Sequence, residues 1–480
     1  MPPSAPRVDA EAARRTNLAM RHPPSQANAA DPPRRALRGA FLTSTGDPWK
    51  LGVEATRRYE SDGLVLIENG RISAAGPMTE LSGRVPAGVR VEQLPSTALL
   101  VPGFIDCHVH YAQLAVIASY GEQLLEWLER YTFVAEQALV DPVCAGDAAR
   151  LFFDLTLACG TTTAAAFCTV HPCSVDAFFT EAQRRGVRAI GGKVLMDRNA
   201  PPALCDNAQR GYDESKALIE RWHGRGRLGY AITPRFAPTS TCAQLEAAGA
   251  LWRKHPGCWV QSHVAEQQRE VAWVKELFPQ ARDYVDVYAQ AGLLGRRAIY
   301  GHGIHLRERE LMALAESHTA IAHCPTSNLF LGSGHFDWRR MKKRAQPVIV
   351  GLGTDVGGGT TLSMLQTIAA AYNVARMGGT LLAPGLAFHL ATRGGAAALD
   401  IEDKVGSIGA GMEADLVVLD LEATPMLAQR TRQARDLDEA LFALLVLGDD
   451  RAVARTLVAG ADAYVRADAS AGDRMPFQDQ

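Results

Sequence analysis

The stretch Ala98-Leu-Leu-Val-Pro-Gly-Phe-Ile-Asp-Cys-His-Val-His110 opens as an apolar run, broken only by Pro102-Gly103, and ends in two histidines one residue apart. Side chains alternate along a strand with period two, so His108 and His110 point to the same side. Two imidazoles on one side of a strand end can grip one metal ion. A His-x-His pair alone arises by chance in many chains. Its meaning comes from what stands at the ends of the later apolar runs.

Strand-like runs fall at 99–105, 161–167, 187–196, 228–236, 258–263, 298–302, 319–323 and 348–355. Helical patterns, for example 213–222, 243–254 and 308–317, separate most of them. Eight strands alternating with helices predict an α/β chain folded as a (β/α)8 barrel. A doubly wound open sheet is the rival, but no GxGxxG turn follows the first strand. Short strands also bracket this region. Runs at 63–67 and 71–75 flank Asn69-Gly70, a strong hairpin signal. Two more runs follow at 414–419 and 456–465.

In such barrels chemistry collects at the C-terminal strand ends. Here those ends carry His108 and His110, Arg235-Phe236, His263, His302, His323 and Thr354-Asp355. Any one of these histidines can be a packed core residue; packing does not explain their joint placement. Three or four histidines with one aspartate form a nitrogen/oxygen site for a borderline cation. Zinc fits best, and iron or manganese tolerate similar ligands. Water on such a cation has a pKa near 7 and is a nucleophile at neutral pH. That chemistry also needs an acid/base free of the metal. Glu266, three residues after His263, is the candidate; its bland alternative is a helix-start glutamate favoured by the helix dipole. Arg235 offers a planar fork of donors and Gln113 a donor and an acceptor on one amide, which suits a planar, carbonyl-bearing heterocycle. A structural salt bridge and a surface glutamine are the plain alternatives.

Composition narrows the class. The chain has 480 residues, 47% hydrophobic and 21% charged, enough for a large core and two structural units. A net charge of −2 argues against a general nucleic-acid or membrane-surface binder. No apolar run reaches the roughly 18 residues of a membrane span. Nine scattered cysteines without a CxxC pair point away from a disulfide framework and towards a reducing cytoplasm. Residues 1–38 are rich in Ala, Pro and Arg and lack the apolar core of a secretory signal; a disordered extension is expected there, with Met20 an alternative start.

These residues resemble the metal-dependent amidohydrolase superfamily, and within it the branch that deaminates guanine. The resemblance rests on the stretches 102–113, Gln123-Leu-Leu-Glu-Trp-Leu-Glu-Arg-Tyr-Thr-Phe-Val-Ala-Glu136, 192–199, Ile232-Thr-Pro-Arg-Phe-Ala-Pro-Thr239, Ser262-His-Val-Ala-Glu266, 322–328 and Gly353-Thr-Asp355. His-x-His and the late aspartate are shared across the superfamily; the Leu-Glu-Trp-Leu and Pro-Arg-Phe stretches are more specific.

The resemblance implies a barrel over 99–404 and a small β-sandwich made from both chain ends, 39–98 with 405–467, leaving 468–480 as a tail. It implies one zinc ion per subunit held by His108, His110, His263 and Asp355, with Glu266, Asp355 and His302 catalytic. Substrate would meet His110, Gln113, Arg235, Phe236, His263, Glu266 and Asp355. Two-metal members bridge their ions with a carboxylated lysine on the fourth strand; that strand has none here, and Lys193 on the third is read as structural. The implied reaction is hydrolytic deamination of guanine to xanthine and ammonia in purine catabolism, by a cytoplasmic homodimer that binds neither membrane nor nucleic acid. The rivals are an aminohydrolase of another purine, a pterin or a triazine, and a metal-free scaffold on the same fold. The stretch 120–136, with Trp127, Tyr131 and Phe133, either covers the site or is a plain core helix.

Overall fold

The computed structural model describes residues 34–120 and 123–467. Met20 and the tail at 468–480 lie outside the described residues. The chain enters through β1 (Arg35–Ser44), β2 (Arg57–Glu68), β3 (Arg71–Pro77), β4 (Val91–Gln93) and β5 (Ala98–Pro102). Asn69 and Gly70 join β2 to β3 with both φ angles positive, 51° and 72°, the conformation that Asn-Gly favours in a two-residue hairpin.

The extension expected over 1–38 overlaps β1 and needs correction at its end. Ala36 and Leu37 are buried. Arg35 Nη1 donates to the Gly460 carbonyl at 3.1 Å and to Asp462 at 2.8 Å, and Nη2 donates to Glu92 at 2.7 Å. These anchors come from both ends of the chain, which is why local composition did not show them.

The barrel is built from β6 (Phe104–His110), β7 (Thr161–Phe167), β8 (Arg188–Gly192), β9 (Val194–Leu195), β10 (Leu228–Pro234), β11 (Trp259–Val264), β12 (Ala298–His302), β13 (Ala320–His323) and β14 (Ile349–Leu352). Parallel pairing runs β6-β7-β8-β10-β11-β12-β13-β14, with β9 added beside β10. The two edges meet where the Asp355 N–H donates to the His108 carbonyl and the His110 N–H to the Val356 carbonyl, both at 2.8 Å. Strands buried on both faces explain the continuous apolar runs of the sequence.

The chain then returns through β15 (Leu416–Asp420), β16 (Val453–Val458) and β17 (Ala461–Val465) to complete an eight-stranded sheet, in order β17-β16-β15-β5-β1-β2-β3 with β4 on β1. Both chain ends thus build the second sheet. Ala36, Leu64 and Leu66 pack in one apolar cluster, and their neighbours Leu37, Val65 and Ile67 in another, so alternate side chains are buried on both faces.

The run read as one strand over 99–105 is divided at Gly103. Residues 99–102 pair with β1 and β15, outside the barrel. The Gly103 N–H donates to the Asp415 carbonyl at 2.8 Å, and a Cβ there would lie 2.1 Å from Thr162 Oγ1. The close approach requires glycine and turns the chain from one sheet into the other. Past the turn, Ile105 and Cys107 pack with Ala396 and Ala398 of the helix Arg393–Ala398. Asp106, His108 and His110 fall on the alternate side.

Candidate active site

His108 and His110 end β6, His263 lies near the end of β11, His302 ends β12 and Asp355 follows β14. His263 Nε2 is 3.2 Å from His108 Nε2 and 3.1 Å from His110 Nε2. Asp355 Oδ1 is 3.3 Å from Nε2 of both His108 and His110. Ligands sharing a tetrahedral zinc, at Zn–N distances of about 2.0–2.1 Å, stand about 3.3 Å apart. Four of the six pairs among these donor atoms therefore already have the spacing of a shared cation. Donor atoms of His108, His263, His302 and Asp355 also lie within 4.8 Å of one another, so His302 borders the same centre.

Protonation agrees with that use. Burial, then the neighbouring His108 and His110, presses His263 well below the usual histidine range. Burial lowers His110 to about 4. Neutral imidazoles are the metal-binding form. His263 Nδ1 lies 2.6 Å from the Arg235 carbonyl, which fixes the ring and leaves Nε2 as the lone-pair donor. Burial opposes ionisation of Asp355, but hydrogen bonds from His108 and His110 outweigh it and hold the carboxyl well below its ordinary range.

The backbone is strained here. His302 and Asp355 adopt φ of +73° and +52°, a region that branched side chains seldom occupy and that clusters at functional sites. Asp106, in the opening motif but given no role from sequence, accepts from the Thr354 N–H at 3.0 Å and from the His108 N–H at 3.2 Å. It ties the first strand to the last beside the site.

Gly301 provides the space for His108: a Cβ there would lie 2.7 Å from His108 Cε1. Gly301→Ala is expected to push that ring aside and weaken metal affinity roughly 10–100-fold, the range seen when support of a ligand is lost. Chelator competition measures it; unchanged affinity would mean that the ring adapts.

Glu266 is not the first residue of a helix. The helix Gln268–Leu277 starts after it, and Glu270 does the capping, accepting from the N–H groups of Glu266 at 2.8 Å and Gln267 at 3.0 Å. The Glu266 carboxyl is left in the pocket, 2% exposed. Ser333 Oγ donates to its Oε1 at 3.0 Å, and His302 Nε2 stands 3.4 Å from its Oε2. Burial, reinforced by the Asp355 charge, raises Glu266 to about 8, so it carries a proton at neutral pH.

Gln113, Arg235 and Phe236 line the same pocket. Arg235 does form a buried salt bridge, its plain alternative, while also lining the pocket. Its Nη1 donates to both oxygens of Glu136 at 2.8 Å, and the guanidinium lies over the Phe133 ring at 5.5 Å. Gln113 Nε2 also donates to Glu136, at 2.9 Å, while its Oε1 accepts from the Gly357 N–H at 3.2 Å.

His323 ends its strand but does not join the site. It stacks on Phe336, centroids 4.2 Å apart, beside Trp338, and neither ring nitrogen has a hydrogen-bond partner among the described residues. Lys193 is buried against Asp206 and Glu214. The aromatic stretch after β6 covers the pocket. It forms a helix over Leu124–Trp127, a π-helical turn over Leu128–Thr132 and a second helical piece over Phe133–Gln137. Leu124, Trp127 and Leu128 form part of the pocket wall.

A barrel whose strand ends gather histidines and an aspartate about one point defines a class, and comparison agrees: the chain belongs to the Amidohydrolase family, matched over residues 99–461. The family is metal-dependent, and the His/Asp group above is where this chain can hold a metal.

Within the family its relatives are specific. It is 44% identical to the guanine deaminase of Escherichia coli (strain K12), over 90% of this chain and 98% of that one. The structure of the E. coli guanine deaminase superposes with a TM-score of 0.88, covering 90% of this chain and all of the other. Guanine deaminase from Bradyrhizobium japonicum, 36% identical, gives 0.87 over 90% and 100% of the two chains. Guanine deaminase from C. acetobutylicum with bound guanine in the active site, 26% identical, gives 0.80 at the same coverage.

Proposed function

We propose that this chain is a guanine deaminase, converting guanine and water to xanthine and ammonia. One observation carries the reading: a single pocket is lined by His110, His263 and Asp355 of the donor set, the buried Glu266 carboxyl and the side chains of Arg235 and Gln113. The named relatives support the same substrate.

In this reading His108, His110, His263 and Asp355 hold one zinc ion per subunit, which supplies a water-derived nucleophile at neutral pH and polarises the reacting centre. Arg235 and Gln113 receive the carbonyl side of the purine, and Phe236 packs against its face. Their grip turns C2, the carbon bearing the amine, towards the donor set. Glu266 gives its proton to ring N3, so that the ring can accept the attacking electron pair. Asp355 or Glu266 then takes one proton of the attacking water and passes it to the departing amine, which leaves as ammonia; as the C2 carbonyl forms, the second proton of that oxygen returns to Glu266. His302 Nε2, 3.4 Å from Glu266 and 3.8 Å from Asp355, has no hydrogen-bond partner among the described residues. It is placed to stabilise charge developing between them, a preorganised electrostatic role.

Adenine carries an amine where guanine carries the C6 oxygen. It would leave the donors of Arg235 unmatched, and a site built around a hydrogen bond rejects such analogues by up to about 10⁴–10⁵. The expected setting is purine catabolism in a reducing cytoplasm. All nine cysteines are free, which fits such a compartment. The described residues contain no helix long and apolar enough to cross a membrane. A homodimer is proposed from the family resemblance.

The test is xanthine and ammonia formation from guanine by purified protein, with and without a chelator. Activity lost on chelation and restored by zinc is the expected result. Intact metal-loaded protein that leaves guanine unchanged but deaminates a pterin or a triazine would replace the substrate.

A further inference from the structure

We infer that Glu136 is a positioning residue for guanine selectivity: its carboxylate fixes both groups that read the purine edge, the guanidinium of Arg235 and the amide of Gln113. This rests on the guanine reading above and adds to it a residue that touches neither metal nor substrate.

The geometry is specific. Glu136 is fully buried, and Arg235 and Gln113 are 3% and 2% exposed. Glu136 Oε1 accepts from both, at 2.8 Å from Arg235 Nη1 and 2.9 Å from Gln113 Nε2, while Oε2 takes a second contact from Nη1 at 2.8 Å. Among the described residues the Arg235 side chain has no other acceptor, so Nε and Nη2 remain for a ligand. The amide of Gln113 is held at both ends, by Glu136 on its nitrogen and by the Gly357 N–H on its oxygen. Its donor and acceptor sides cannot exchange without breaking both bonds.

The charge matters as much as the direction. A buried guanidinium without a counterion would favour an anionic ligand. Paired with Glu136 it is close to neutral as a unit, and so suits the carbonyl of an uncharged base.

The covering segment is shaped to deliver this carboxylate. In an unbroken α-helix, at about 100° per residue, Leu128 and Glu136 would stand about 80° apart, and Leu124 and Glu136 about 120° apart. The π-helical turn absorbs one residue and brings each separation to about 20°. Leu124 and Leu128, which line the pocket, therefore share a face with Glu136. One element both roofs the pocket and sets its readers.

Glu136→Gln tests this, with guanine compared against 2-aminopurine, which keeps the C2 amine and lacks the C6 oxygen. The expected result is a loss of about 100-fold in guanine kcat/KM, mostly through KM, consistent with loosening charge-assisted hydrogen bonds. The Ki of 2-aminopurine should change less than about threefold, because it does not use the carbonyl readers. A merely structural role would weaken both ligands in parallel; that outcome, or full guanine efficiency, overturns the inference.

If Glu136→Gln does not fold, Glu136→Asp keeps the charge and shortens the reach. It should lose about tenfold on guanine with the 2-aminopurine Ki unchanged, and wild-type efficiency in that folded variant would overturn the inference equally. Failure of the wild-type protein to deaminate guanine would instead defeat the substrate reading on which this rests.

Discussion

Replacing Glu266 by glutamine is expected to leave the fold and the bound metal intact while lowering kcat for guanine by about 10²–10⁴-fold, the usual contribution of a positioned acid/base. The substitution preserves size and can keep the Ser333 hydrogen bond, which measures 3.0 Å in the native protein. It removes only the exchangeable proton. Burial raises the native carboxyl to about 8, so the acid form predominates at pH 7 and is lost as pH rises through that value. Wild-type activity should therefore fall on the alkaline side near pH 8, and this limb should be missing from whatever activity Glu266→Gln retains. Metal content by atomic emission, kcat and a pH profile make the measurement. A fully metallated variant within threefold of wild type would remove Glu266 from the chemistry.

Replacing His263 by alanine is expected to cost the metal itself. Its Nε2 stands 3.1–3.2 Å from both histidines of β6, and its ring is set by the Arg235 carbonyl at 2.6 Å. Without it, two histidines and a carboxylate remain. The purified variant should carry metal only at background, and deamination should fall to background with it, since the lowered pKa of metal-bound water, near 7, is lost. Thermal unfolding gives an independent readout. Adding metal to the apo wild type should raise Tm, because a ligand at about 1,000 times its Kd stabilises the native state by about 4.1 kcal/mol. His263→Ala should show no such rise. A variant with a full complement of metal would show that His302 or another group completes the site in its place.

Much of this was legible in the chain because the signals are local. The two-residue period of His108 and His110, the Asn69-Gly70 turn and the apolar runs each depend on neighbours in sequence. Arg235 and Glu266 were found because each lies beside a strand end that could be read. The parts that were missed depend on partners far along the chain. Gly103 looks like a pause within one strand; only Asp415 and Thr162 make it the point where the chain changes sheets. Asp106 meets Thr354 across 248 residues. Glu136 has the sequence character of a surface helix glutamate, yet its partners lie 23 and 99 residues away. His323 shows the opposite limit: its place at a strand end matched the site histidines, but Phe336 and Trp338 fill the space beside it.

The π-helical turn at Leu128–Thr132 makes chain length itself informative. A single deletion between Leu128 and Glu136 would let the helix close into regular α geometry with the two residues still only about 20° apart, whereas losing a second residue there would turn the acid away by about 100°, even with every motif residue unchanged. When related sequences are aligned, a one-residue gap in that interval therefore marks loss of the π-turn with the acid kept on its face, and a two-residue gap marks a different pocket. Segment length belongs beside residue identity when substrate preference is inferred for homologues.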